Sequence, residues 1–212
     1  MGTKASPDIV ELFETHGIIQ TYPKNTALFK HGEAVEYYYY TLSGAAHYSV
    51  SFKQGRETST ALLLPGRVIA PSGPVASGSV FTLSECKLIR MSAKELLDIV
   101  YSDSELAKSY EAHLMNEHNG SLMGAVLNAQ LDAGERVALF FQMLAMEANI
   151  EVKKGYYTIG YKFSHEFICH FVNANRVTVS KTLSAWQKDG SIIIQNGIIA
   201  ISEDMFRAVL YR

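Results

Sequence analysis

The sequence predicts an α+β fold in three parts: a β-rich front, one long helix and a C-terminal pair of helices followed by a hairpin. Three observations carry this prediction. Short β-type runs separated by turns fill roughly the first hundred residues. Helical spacing takes over from Ser104 to Ala129. Two short helical patterns between Phe163 and Lys188 are then followed by apolar runs around Asn196-Gly197.

In the front, the predicted strands are Tyr22 to Phe29, Tyr37 to Leu42, Ala46 to Phe52, Thr58 to Leu64, Val80 to Leu83 and Leu88 to Met91. The turns between them include Lys30-His31-Gly32-Glu33, Leu42-Ser43-Gly44, Lys53-Gln54-Gly55-Arg56 and Leu64-Pro65-Gly66. Many short strands joined by Gly and Pro turns predict a sandwich, jelly roll or barrel. Tyr37 to Tyr40 offers four rings in a row. Alternate strand residues face opposite ways, so core packing is expected for two of them rather than an aromatic cage. His31 and His47 lack the close HxH pair and carboxylate of a cupin-type centre, so neither metal nor haem is expected.

The long helix carries Leu106, Tyr110, Leu114, Leu122, Val126 and Ala129 at roughly helical intervals. Its middle, Asn116 to Ser121, is polar and contains Gly120, which weakens an apolar stripe.

At the C-terminus, Ser164 is placed to cap a helix, with Glu166 in its first turn. Phe167, Ile168, Phe171 and Val172 form that helix's apolar face. Asn173 turns the chain, since Asn tolerates a left-handed backbone. The second helix is expected to bury Val179, Leu183 and Trp186, leaving Arg176, Val177, Ser180, Lys181 and Lys188 on other faces. Gly190 ends it, and Asn196-Gly197 joins Ser191–Ile194 to Ile198–Ile201 as a hairpin. Helix, turn, helix and hairpin make a winged helix, whose second helix enters the DNA major groove.

Composition is compatible with this plan. The chain has 212 residues, is 48% hydrophobic and carries a net charge of −2. Residues 150–212 hold eight Lys or Arg against five Asp or Glu, a balance of +3, which leaves −5 on residues 1–149. An acidic front joined to a basic tail suits a sensor joined to a DNA reader. Cys86 and Cys169 form no cluster, so two buried thiols in a reducing cytoplasm are expected. No signal peptide or long apolar run is found, so a cytoplasmic protein with no membrane partner is expected.

The segment SHEFICHFVNANRVTVSKTLSAWQKDGSII resembles the DNA-binding signature of the Crp/Fnr superfamily of bacterial transcription regulators. Ser164, Asn173, Asn175, Arg176, Val177, Thr178, Val179 and Lys181 stand at the positions of that signature. The chain departs from it at Asn173 (usually Gly), Val177 (often Glu) and Lys181 (often Arg). ALFKHGEAVEYYYYTLSGAAHYSV and LLLPGRVIAP resemble the cyclic-nucleotide-type β-roll of the same superfamily, in the same order. LDAGERVALFFQML resembles the hinge and helix leading to the reader, with Asp132 as its cap.

The resemblance implies a jelly-roll-like β-roll sensing domain at 1–102, a dimerisation helix at 103–130 and a winged helix-turn-helix at 131–212. It implies a homodimer on an inverted repeat of double-stranded DNA, with RNA polymerase as a partner and activation among its roles. By position Lys181 reaches a base edge and Arg176 holds phosphate. Asn175, Thr178, Ser180, Ser164, His165 and Lys188 are further DNA-contact candidates. Val177 has no side-chain hydrogen bond to offer, so apolar contact with a thymine methyl is expected there.

The cyclic-AMP-binding branch has a Gly-Glu and an Arg-Ser pair in the roll. Ala70 to Glu85 has neither, nor any Arg or Lys. A buried phosphate without a cation is costly, so the expected effector is a small molecule other than cyclic AMP, with aromatic compounds fitting the Tyr-rich front. Ser72 and Gly73 lie on a loop that reads either as an effector contact or as a plain connection. His118, Ser121 and Leu122 read either as the helix's contact with effector or as a solvated face. No catalytic constellation is found, which disfavours a β-roll enzyme. A winged helix that docks protein is the other rival.

Overall fold

The computed structural model describes residues 4–51, 57–71, 73–147 and 152–210, with side chains through residue 208. Phe52, the expected turn at Lys53–Arg56 and Ser72 lie outside the described residues. The chain divides into two compact units, Met1–Met123 and Gly124–Arg212.

The first unit opens with α1 (Pro7–His16), which the strand-dominated expectation lacked. Pro at the first turn, Asp8 beside it and buried Ile9, Leu12 and Phe13 at helical spacing explain it. Among the described residues of this unit eight strands follow: β1 (Ile18–Tyr22), β2 (Ala27–Phe29), β3 (Tyr37–Ser43), β4 (Ala46–Ser51), β5 (Glu57–Leu63), β6 (Val68–Ile69), β7 (Ser79–Thr82) and β8 (Cys86–Ser92). The expected run from Tyr22 to Phe29 is broken by a turn that puts Asn25 at φ 65°. The strands form two antiparallel sheets, ordered β1-β8-β3-β6 and β2-β7-β4-β5. Between them lie Phe29, Tyr39, Ala46, Leu63, Ile69, Val80, Cys86 and Leu88. Gly44, at φ 89°, makes the β3–β4 turn; a Cβ there would strike the Glu85 carbonyl.

Strand alternation sends Tyr37 and Tyr39 into this inter-sheet core and Tyr38 and Tyr40 to the other face. That other face is not open, contrary to a simple inside–outside division. Tyr40 packs 5.9 Å from Phe13 of α1, and Tyr38 joins a second core with α1, α2 (Ala93–Ser102) and α3 (Ser104–Gln130). Burial pushes the Tyr39 hydroxyl up to about 12. His47 Nδ1 lies 2.9 Å from the Ser59 hydroxyl. Cys86 and Cys169 are both buried free thiols, and burial raises the pKa of each.

The second unit is built on α4 (Ala133–Glu147). Asp132 caps it as expected: its Oδ1 accepts from Glu135 N at 2.9 Å, and Glu135 Oε2 accepts from Asp132 N at 3.0 Å. Phe140 centres an aromatic core with Phe171 at 4.8 Å, Phe141 at 5.4 Å and Phe163 at 5.5 Å. A four-stranded sheet, β11-β12-β10-β9, closes the unit from β9 (Val152–Lys153), β10 (Tyr156–Ile159), β11 (Ile192–Gln195) and β12 (Ile198–Ser202). The chain then forms α7 (Glu203–Leu210), whose Phe206 stacks on Tyr157 at 4.3 Å. Among the described residues no helix is long and apolar enough to cross a membrane.

Candidate nucleic-acid interface

Two helices at a sharp turn form the site. α5 (His165–Phe171) starts where Ser164 Oγ accepts from Phe167 N at 3.0 Å. It ends at Val172, and Asn173 takes φ 48°. Asn175 Oδ1 then accepts from Thr178 N at 2.8 Å and starts α6 (Arg176–Lys188). Asn173 thus does what the usual Gly does in this turn. The φ of 81° at Gly190 stops α6 after Asp189, whose Oδ1 accepts from Ser191 N at 2.9 Å; the Ser191 hydroxyl first, and this backbone bond second, hold the Asp189 carboxyl below its ordinary value. Asn196 and Gly197, at φ 51° and 76°, give the hairpin turn of the wing.

α6 is fixed from beneath by Val179 and Leu183, both buried, while Trp186 is only half-buried. At 100° per residue, Val177, Lys181, Ser184 and Lys188 share the opposite face, and all four are exposed. Arg176, Asn175, Ser164 and His165 are exposed at or near the helix starts, and Ser180 and Thr178 are half-buried on the flanks of α6. The surface therefore joins an apolar residue, a hydroxyl and two cations in one exposed row.

Two contributors were not anticipated. Ser184 lies in the exposed row, and the spacing Val177–Lys181–Ser184 was the signal that could have found it. Arg136 of α4 is the second. Its Nε donates to the Val172 carbonyl at 2.6 Å, its Nη2 to Asn173 O at 3.1 Å and its Nη1 to Leu131 O at 2.6 Å. It clamps the turn to the start of α4 and so sets where α6 points. Nothing in the local sequence marks it, because its partners are backbone carbonyls brought near by folding.

Of the effector candidates, Ser72 lies outside the described residues. Gly73 is in a bend, and His118, Ser121 and Leu122 lie on the exposed side of α3. The side of α3 that meets its own front unit carries Tyr110, His113 and Glu117 instead. Arg67 is 5% exposed and donates from Nη1 to Glu117 Oε1 at 3.0 Å. Burial depresses the pKa of His113, with Arg67 acting in the same direction and Glu117 opposing it.

A cyclic nucleotide-binding domain matches residues 19–103, and a Crp-like helix-turn-helix domain matches residues 135–208. The chain belongs to the Crp/Fnr family. It is 24% identical over 207 residues to the global nitrogen regulator of Nostoc sp., covering 95% of this chain and 88% of that one. It is 26% identical over 177 residues to the nitrogen fixation regulation protein FixK of Azorhizobium caulinodans, covering 83% and 71%. In fold it resembles FixK2 of Bradyrhizobium japonicum, at a TM-score of 0.80 and 21% identity over 90% of this chain and 94% of that one. It also resembles the c-di-GMP-responsive regulator CLP of Xanthomonas campestris, at 0.69 and 18% over 93% and 99%. This Crp/Fnr chain is thus a transcription regulator with an effector-type domain ahead of a DNA-binding helix-turn-helix.

Proposed function

We propose that this regulator binds an inverted repeat of double-stranded DNA as a homodimer, with α6 in the major groove. The observation that carries this is the exposed row Val177–Lys181–Ser184–Lys188 on a helix locked by two caps and the Arg136 clamp. Lys181 donates to a base edge such as guanine, and Arg176 and Lys188 hold phosphate. Asn175, Ser164, His165, Thr178 and Ser180 supply further backbone contacts. Val177 contacts a thymine methyl and gives an A/T-leaning half-site.

Dimerisation uses the exposed apolar residues of α3, which include Met115, Leu122 and Val126. In a two-fold dimer the two α6 helices meet the same face of DNA about 34 Å apart. The protein works in the cytoplasm as a non-enzymatic transcription regulator, with RNA polymerase as a partner and activation among its roles.

The effector is a small molecule other than cyclic AMP. Residues 70–85 carry no cation for a phosphate, and Arg67, just ahead of them, is committed to Glu117. A loop contact at Ser72 and Gly73, together with His118, Ser121 and Leu122, would report effector to the helix. Effector then acts by favouring the arrangement in which both readers reach DNA. A bulky residue at Ser121 is expected to change the effector's influence on DNA affinity; unchanged ligand response in Ser121→Phe contradicts that contact.

Salt-dependent binding to duplex DNA tests the reading against a protein-docking winged helix. The DNA reading expects affinity to fall steeply and linearly on a log–log plot against salt. A duplex-indifferent protein overturns it.

A further inference from the structure

We infer that Asn119 selects the orientation and subunit number of the paired α3 helices. This rests on the dimeric reading above.

Met115, Asn119, Leu122, Val126 and Ala129 succeed one another at alternating steps of about four and three residues, the spacing of a coiled-coil seam. All five are exposed, with Met115 at 60% and Leu122 at 58%. Leu106, Tyr110, His113 and Glu117 follow a parallel track about half a turn away, which is turned toward the chain's own front unit. The free seam is therefore a separate face, and its spacing calls for another helix of matching period. A second copy of α3 supplies one.

Four seam residues are apolar and one is an amide. In a parallel, in-register pair, each seam residue meets its own copy, and the two Asn119 amides can hydrogen-bond to each other. In an antiparallel pair Asn119 faces an apolar part of the seam near Val126 and is desolvated without a partner, which disfavours that arrangement. Higher oligomers bury the amide more completely and are disfavoured for the same reason. The positions flanking the seam add little discrimination, because Glu111, Asn116, His118, Met123 and Ala125 contain no set of opposite charges. Orientation thus falls on Asn119. A parallel pair puts both winged helices at the same end of the helix pair, as an inverted repeat demands.

The test uses the full chain with Ala129→Cys, a position that meets itself only in a parallel, in-register pair. Native Cys86 and Cys169 are buried, and the chain without the added thiol is the control. Subunit number is read by sedimentation, and orientation by disulfide yield. The expected result is a single dimer species with high self-crosslinking. Adding Asn119→Val is expected to cut that yield severalfold and produce species beyond the dimer, while association tightens about tenfold. The monomer should fold normally, because Asn119 is exposed. If Asn119→Val leaves yield and subunit number unchanged, Asn119 is not the selector although the dimer stands. If the chain without Asn119→Val sediments as a monomer throughout, the dimeric reading itself fails and takes this inference with it.

Discussion

At the scale of single residues, the proposed reading surface combines side chains assigned to DNA with others that only place them. Lys181→Ala is expected to lose about 1–3 kcal/mol of specific affinity and relax choice at one base pair, measured by binding to the selected site and its single-base variants. Val177→Glu should instead shift preference at one position toward cytosine, because a carboxylate accepts from its amino group. Arg136→Ala removes four carbonyl partners at once. On the order of tenfold weaker DNA binding is expected, with Arg136→Lys a poor rescue because one ammonium cannot span four carbonyls. In the front unit, Glu117→Ala removes the carboxylate that accepts from the buried Arg67 at 3.0 Å and should destabilise the fold by about 2–3 kcal/mol, read by denaturant unfolding. His113 gives a pH signature. Its pKa is depressed in the folded state below the ordinary 6.5, so the unfolded chain takes up the proton first. Its contribution is full above that ordinary value and is lost as pH falls toward the folded pKa. Thermal melting from pH 7.5 to about 5 should therefore fall more steeply in the parent protein than in His113→Leu.

At the scale of elements, legibility followed how local the determining physics is. Ser164, Asn173, Gly190 and Asn196-Gly197 act through their own caps and turns, so α5, α6 and the wing hairpin were legible to within a residue or two. α2 was not, because β8 runs into it through Ser92 with no Gly or Pro to mark the change. Nor was β9–β10, where a two-residue strand gives no period and the turn rests on Lys154 and Gly155 at positive φ. α7 was also missed; its pattern follows β12 without a break. The long helix was legible in extent, but not in its division of faces. Leu106 and Tyr110 belong to the front unit's core, whereas Leu122 and Val126 are exposed. At 100° per residue, Tyr110 and Leu122 stand about 120° apart, so one apparent stripe was two. His113 and Glu117 gain a role only through folding, which brings both near Arg67. Replacing Asn196-Gly197 with Ala-Ala is expected to destabilise the wing by about 1–2 kcal/mol, because both positions hold positive φ; an unchanged melting temperature would show that the turn adapts.

At the scale of the whole molecule, the cyclic nucleotide-binding and Crp-like helix-turn-helix matches give sensor and reader in one chain. The proposed regulation requires a ligand to have different affinities for two arrangements of a dimer; equal affinity shifts nothing, however tight the binding. The most direct measurement is selection of binding sites from random duplex DNA by the purified protein, with and without a panel of small metabolites. The account predicts an inverted repeat with half-sites about one helical turn apart, A/T-leaning where Val177 reads and with a guanine contact for Lys181. Enrichment of a single half-site, of a Glu-type consensus, or of no sequence under any panel condition would contradict it.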